Sequence, residues 1–361
     1  MTDKVTNAVR DFIENVNKTY KGGVAEVGGR FEALSLARFS TGILSLDCAL
    51  GGGWPFGRIA VNAGMESTGK TLMALKAMAS VEEYDHETKQ HRDFVDDDKF
   101  TAGTALFVDV EGSFDPEWAA SNGVTEGCHA VARPEYSEQA IDIVTAAIEE
   151  NVFDLIIVDS LAALAPTKEL EASSEDWQMG LSARLINKAM RKWVGKINKV
   201  STATGTAPFL MCLNQFRINI GQFVGDPRVL PGGKGQQFAS SIILYTKSPD
   251  YQDSKTKEMS HVKLSGTIQK NKTYVPRMNF SYSVHLQDDE DGAKQGDVDN
   301  LKQMQSLGKK YGLIVVDGAK VYFGDKVYKT QKALMQDVAN DPEMYRLMWR
   351  SIVKAAVGKI I

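Results

Sequence analysis

Cysteine is scarce: Cys48, Cys128 and Cys212 are the three in 361 residues, odd in number and far apart. That excludes a disulfide scaffold. The five histidines, His86, His91, His129, His261 and His285, form no Cys/His cluster with zinc-ligand spacing, so surface or structural roles are expected for them. No apolar run approaches the roughly 20 residues that span a bilayer. The opening "MTDKVTNAVRDF" also lacks the apolar segment of a signal peptide. The expectation is a cytoplasmic protein with no membrane contact. An excess of charge of one sign is missing too, with 42 Lys and Arg against 46 Asp and Glu, a net −4. A protein that coats polyanions with its whole surface is thereby excluded, and any nucleic-acid contact must be local.

What is present is the length and pattern of a large domain with smaller additions, since single cores rarely exceed about 250–300 residues. Val5, Val9, Phe12, Val16 and Tyr20 recur at helical spacing and predict an amphipathic helix ending at Gly22 and Gly23. Its apolar stripe packs either on its own core or on a neighbouring subunit. From about Phe31 to Lys272, strand-like runs ("RIAVNA", "TALFVDV", "DLIIVDS", "PFLMCLNQ", "SIILYTK") alternate with helical patterns. Continuous apolar strands separated by helices imply a mostly parallel sheet covered on both faces, an α/β core whose ligands bind at the carboxyl ends of the strands. Val81 to Gly103 is a long polar connection expected to be a solvated surface excursion. After "LQDDEDGAKQGD" the composition shifts to that of a small α+β domain. The expected division is 1–34, an N-terminal helix and strand for subunit packing; 35–290, the α/β core; and 291–361, the C-terminal domain.

The stretch "GMESTGKT" follows one strand-like run and opens a helix. G-x-x-x-x-G-K-[ST] in that setting is a P-loop, which aims backbone N–H groups and a helix N-terminus at phosphate oxygens. Gly64, Met65, Glu66, Ser67, Thr68, Gly69, Lys70, Thr71 and Leu72 are the expected nucleotide contacts. Lys70 would reach the β- and γ-phosphates, and the Thr71 hydroxyl would ligate Mg²⁺. Gly64 and Gly69 would permit a backbone path that a Cβ obstructs. "DLIIVDS" ends in Asp159, a carboxylate at a buried strand's carboxyl end that can hold the hydration shell of Mg²⁺. In "ALFVDVEGSFDP", Glu111 stands just past another strand end, where a base could orient water and take its proton. A lid arginine cluster of the kind kinases need has no counterpart, so water is the expected acceptor of the phosphoryl group.

Taken together, "STGILSLDCALGGGWPFGRI", "GMESTGKT", "FVDVEGSFDPEW", "DLIIVDSLAALAP", "MGLSARLINKAMRK", "LNQFRINIG" and "QKNK" resemble the RecA recombinases in order, spacing and wording over about Val5 to Val284. The resemblance implies a RecA-like P-loop ATPase core with a mostly parallel twisted sheet flanked by helices. It also implies ATP and Mg²⁺ as cofactors, and a helical filament on single-stranded DNA that pairs it with homologous double-stranded DNA. By the same resemblance, Asp115 contacts adenine, Trp118 stacks on the base, and Gln215 senses the γ-phosphate and links it to the loop that follows. Lys270 and Lys272 reach across the subunit interface to the neighbour's ATP, and Phe238 lies at that interface. The connection at Val81 to Gly103 is longer and more acidic than the family pattern.

Phe216 to Gly235, with five glycines and two prolines, reads as too irregular for a strand and too long for a turn. Arg217, Arg228 and Lys234 would meet phosphates, Ile220 would wedge between bases, Gly232 and Gly233 would allow close backbone approach, and Gly221 is a further expected DNA contact. Upstream, Met179 and Gly180 lead into a helix whose Arg184 and Arg191 lie seven apart on one face. Both match family positions on the DNA backbone. Lys309, Lys310, Lys326, Lys329 and Lys332 either guide duplex DNA or form a solvated surface. Two rival readings are a hexameric RecA-fold DNA helicase motor, which would favour a closed ring, and a nucleotide-switched module without turnover.

Overall fold

The computed structural model describes residues 2–20, 36–164, 181–218, 228–252, 260–289 and 292–358. Helix α1 (Thr2–Tyr20) forms as its spacing predicts. Of its apolar stripe, Phe12 is 66% and Val9 45% exposed. The predicted terminating glycines, Gly22 and Gly23, and the expected strand up to residue 34 lie outside the described residues.

A small ladder of β1 (Arg38–Phe39) and β2 (Trp54–Pro55) flanks α2 (Leu44–Leu50). The main sheet then takes β3 (Ile59–Gly64), β4 (Ala105–Asp109), β5 (His129–Ala132), β6 (Leu155–Asp159), β7 (Phe209–Gln215) and β10 (Ile242–Thr246). These six run parallel in the order β10-β3-β7-β6-β4-β5. Beyond β10 the sheet turns antiparallel through β12 (His261–Asn271), which carries β11 (Asp250–Gln252) and β13 (Asn279–His285). Burial on both faces explains the unbroken apolar runs in β3, β4 and β6.

Helix α3 (Lys70–Val81) packs on one face of the sheet, with Met73, Ala77 and Met78 in a core shared with Phe107, Ile157 and Phe209. On the other face, α5 (Ser137–Glu150) and α6 (Leu181–Thr204) bury Val144, Ile148, Trp193 and Ile197. A short helix, α4 (Pro116–Ser121), follows β4. The α/β reading of the sequence therefore holds, with mixed polarity at one edge.

A third core is built from α8 (Asn300–Lys310), a meander of β14 (Ile314–Asp317), β15 (Lys320–Phe323) and β16 (Lys326–Tyr328), and helices α9 (Gln331–Asn340) and α10 (Pro342–Gly358). Leu44 and Cys48 of α2 are buried in the same cluster. Five lysines of this region, 309, 310, 326, 329 and 332, are exposed.

The expectation for Val81 to Gly103 needs correction. Its tip is exposed, but its charged base is folded inward: Asp85 is buried, accepting the N–H groups of Thr88 and Thr101. Lys89 is also buried, in a salt bridge with the buried Asp154, which further contacts His86 at 2.8 Å and accepts the Thr104 N–H. Asp93 meets Arg346 at 3.0 Å and pairs with Arg350, so the excursion is strapped to α10. Buried charge is tolerated here because Lys89 and Asp154 are paired and Asp85 is hydrogen-bonded.

Candidate functional site

The P-loop links β3 to α3, and its glycines have two different reasons to be there. A Cβ on Gly64 would sit 1.9 Å from the Thr246 hydroxyl and 2.4 Å from that of Thr68, so packing requires glycine. At Gly69 the backbone is left-handed, with φ +79°, and a Cβ would come within 2.6 Å of Leu264. Ser67 also has positive φ, 55°, a costly conformation for a residue with a side chain. The Thr68 and Thr246 hydroxyls are 2.8 Å apart and close the base of the loop.

Strand ends bring the acidic groups to this loop. The Thr71 hydroxyl donates to Asp159 Oδ2 at 3.0 Å, and the Lys70 ammonium donates to the Met65 carbonyl at 2.6 Å. Ser160 Oγ donates to Glu111, whose own N–H donates to the Asp159 carbonyl at 3.2 Å. Burial raises the Asp159 carboxyl to about 6, reinforced by Glu111 and partly offset by Thr71 and Lys70. The Lys70 ammonium is pushed down by burial, against the pull of Asp159, Glu111 and Glu66. Gln215 pairs in register with Gly64, and its amide donates to Glu66 Oε1 at 2.8 Å.

A cavity of about 340 Å³ opens beside the loop, lined by residues 67–72, Trp118, Leu264, His285 and Gln295. That volume lies within the usual range for small-molecule sites. Trp118 forms a wall, held by Gly296, where a Cβ would meet the indole at 2.8 Å.

Past Gln215, the two ends of the long glycine-rich segment pair more regularly than its composition predicts. Arg217 pairs with Val229 and Ile218 with Arg228, so β8 (Arg217–Ile218) and β9 (Arg228–Val229) zip the two ends into a ribbon. The Arg228 guanidinium lies 5.4 Å from the Phe216 ring centroid. Gly232 and Gly233 have φ of +90° and +70°, and Lys234 is exposed at the start of α7 (Gly235–Ala239). Arg184 and Arg191 do share one face of α6, where with Asn187 and Phe238 they line a cleft of about 550 Å³. Met179, Gly180, Ile220 and Gly221 lie outside the described residues.

Residues 7–287 match the family described as the RecA N-terminal domain. This chain belongs to the RecA family. It is 36% identical over 277 residues to Protein RecA of Mycoplasma mycoides subsp. mycoides, covering 76% of this chain and 73% of that one. It is 30% identical over 341 residues to Protein RecA of Chlorobium chlorochromatii, covering 94% and 87% of the two chains. For Protein RecA of Macrococcus caseolyticus the identity is 30% over 355 residues, covering 96% and 90%.

Two groups of expected site residues do not join the P-loop of this RecA-family chain. Lys270 lies level with Val61, because both pair with Ile243, and Lys272 is two residues further on. Both therefore sit toward the amino end of β3, with Lys272 about 16 Å from Gly64 along the strand at 3.3 Å per residue. Lys270 donates to the Ser240 carbonyl at 2.7 Å, and Lys272 is exposed. Asp115 is not among the residues that line the cavity; its Oδ1 caps α4, accepting the N–H groups of Glu117 and Trp118.

Three supporting residues escaped sequence reasoning. Buried Asp109 accepts the N–H groups of Ser113 and Phe114 and so shapes the turn carrying Glu111. Asn214, beside Gln215, donates to the Pro231 carbonyl at 3.1 Å and to buried Gln236 at 2.9 Å, tying the root of the glycine-rich segment to its far end. The only sequence signal was position: an Asp and an Asn at strand ends.

Proposed function

We propose that this RecA-family chain, an ATP-dependent DNA recombinase and DNA-dependent ATPase, hydrolyses Mg²⁺-ATP at the P-loop and uses the bound state to order a DNA-gripping face within a helical filament. One observation carries the reading: Lys70, Thr71, Asp159, Glu111 and Gln215 converge at the carboxyl ends of β3, β4, β6 and β7.

Within this reading, backbone N–H groups of residues 64–72 cradle the phosphates and Lys70 leaves the Met65 carbonyl to neutralise the β- and γ-phosphates. Thr71 and Asp159 would hold Mg²⁺. The fit rests on their mutual contact and on a buried carboxyl beside a second one, Glu111, a pairing of acids that a cation would relieve. The ion supplies charge neutralisation on the triphosphate. Glu111, positioned by Ser160, accepts the proton of the attacking water as the bond to the leaving diphosphate breaks. Trp118 offers its face to the base at the cavity wall.

Gln215 is the coupling element. Its amide rests on Glu66 of the P-loop, and the segment it leads into is clasped by Asn214 and Gln236. A γ-phosphate that draws the amide away shifts one root of that clasp. The exposed cations Arg184, Arg191, Arg217, Arg228 and Lys234, with Gly232 and Gly233, would follow the phosphates of single-stranded DNA and later of the duplex. A few cations per subunit suffice, because counterion release accumulates along a polymer. Lys270 and Lys272, remote from their own P-loop, would serve the site of the adjoining protomer. The exposed stripe of α1 would dock on that protomer too.

The test is ATP turnover with and without single-stranded DNA, paired with electron microscopy of the protein on single-stranded DNA with a non-hydrolysable ATP analogue. DNA-stimulated turnover and helical filaments are expected; closed rings, or monomers indifferent to DNA, would refute the reading.

A further inference from the structure

His261 and His285 stand directly opposite each other on β12 and β13, so their side chains share one face of the sheet. Their ring centroids are 4.2 Å apart. The chain then crosses this face: the Asp299 N–H donates to the Ser283 carbonyl at 3.0 Å, and Asp299 caps the first turn of α8 through Oδ1, which accepts the Lys302 N–H. One ring nitrogen from each histidine and one Asp299 oxygen come within 4.8 Å of one another. None of the three residues is exposed.

Two of the polar atoms here are left without a hydrogen-bond partner although buried, His261 Nε2 and Asp299 Oδ2. The His261 nitrogen has no partner of any kind, which is costly and asks for an occupant. The Lys302 ammonium forms an ion pair with Asp299 Oδ2 at 2.5 Å, on a side chain 74% exposed, so a bound cation would replace a surface ammonium there. The remaining ring nitrogens already have the outer partners that metal-bound histidines use. His261 Nδ1 is 2.8 Å from Ser260 Oγ, and His285 Nδ1 is 3.4 Å from Asp289 Oδ2. With the His261 Nδ1–H directed at Ser260, its Nε2 carries the lone pair a metal needs.

We propose that His261, His285 and Asp299 form a zinc site that fastens α8, the first helix of the C-terminal region, to the β12–β13 edge behind the nucleotide cavity. Two imidazoles and one carboxylate suit Zn²⁺ and exclude a preference for Mg²⁺, which favours oxygen donors. Donors of a tetrahedral zinc lie about 3.4 Å apart at bond lengths near 2.0–2.1 Å, so the three must close by up to about 1.4 Å, within reach of side-chain rotation. Three protein ligands leave one position open. His285 also lines the nucleotide cavity, so the ion would stiffen one wall of it. The cysteine-centred zinc patterns of sequence reading miss this set because its members lie on three separate elements.

The experiment titrates Zn²⁺ alone into the metal-free full-length chain, in millimolar Mg²⁺ and without nucleotide, following heat or competition with a chromophoric chelator. One zinc per chain is expected, with affinity at least about tenfold weaker in His261→Ala and in Asp299→Asn. Asn caps a helix as well as Asp, so Asp299→Asn keeps the fold if His261→Ala does not. Asp159→Asn, at the P-loop, should bind zinc as tightly as the parent. Co²⁺ should give the visible absorption of a tetrahedral nitrogen-oxygen site, lost in Asp299→Asn. Absence of stoichiometric zinc, or equal binding by Asp299→Asn and the parent, overturns the proposal, as does loss of binding only in Asp159→Asn.

Discussion

The Thr71 hydroxyl and the Asp159 carboxylate lie 3.0 Å apart, joining the first turn of α3 to the end of β6. Because Asp159 is held near 6, its ionisation costs the folded chain stability in full above that pH, and the cost fades as pH falls from about 6 to its ordinary value of 3.8. Protons should therefore compete with Mg²⁺: the Mg²⁺ concentration needed for half-maximal ATPase is expected to rise as pH drops below about 6. In the metal-free chain Asp159→Asn should raise the melting temperature at pH 7.5, by at most about 3 kcal/mol in free energy, while turnover is lost. Thermal melts across pH 4–8 check both signs.

Lys70→Ala removes the one ammonium inside the P-loop and should reduce ATP turnover by about 10³-fold or more, in line with other charge-stabilising groups in phosphoryl transfer. Stability should hardly change, because the lysine is burdened by burial in the free protein. Wild-type turnover would dismiss the cradle.

Glu111→Gln keeps the shape and the Ser160 contact but gives up the base. Turnover is expected to fall by about 10²–10⁴-fold, with ATP retained on the DNA-bound protein. Filter binding with labelled ATP reads the trapped state directly.

Two inactive variants should rescue one another. Lys70→Ala has intact strand-edge lysines, and the pair Lys270→Ala with Lys272→Ala has an intact P-loop. If each site takes its lysines from the adjoining copy, an equal mixture should recover about a quarter of parental ATPase, since one seam in four joins the two good halves. No recovery over the sum of the separate variants would mean that the lysines do not act across a seam.

Asp154→Asn is expected to destabilise the fold by about 3–5 kcal/mol, because Lys89 would remain buried with no opposite charge. Lys89→Met with Asp154→Leu should cost less than Asp154→Asn alone. Chemical denaturation of the three proteins makes the comparison.

What the sequence made legible divides along a physical line. The P-loop is a local backbone device, so eight consecutive residues announce it, and the parallel sheet is announced by apolar runs buried on both faces. Glu111 and Asp159 were readable because strand ends are where such a sheet gathers ligands. Lys89 with Asp154, or His261 with Asp299, were not, since each joins residues far apart through tertiary register alone. The short β8–β9 ribbon was hidden for a related reason: two residues on each side cannot establish a period of two. Asp115 shows the converse, an acid whose place in a motif is clear while its geometry is that of a helix cap.

The offset of Lys272 from Gly64 along the sheet has an arithmetical outcome. If complete catalytic centres exist only where one copy abuts the next, n copies in a row own n − 1 of them, and the last copy is idle. Specific activity should then climb with oligonucleotide length and level off, so very short DNA would make a poor activator even when fully covered.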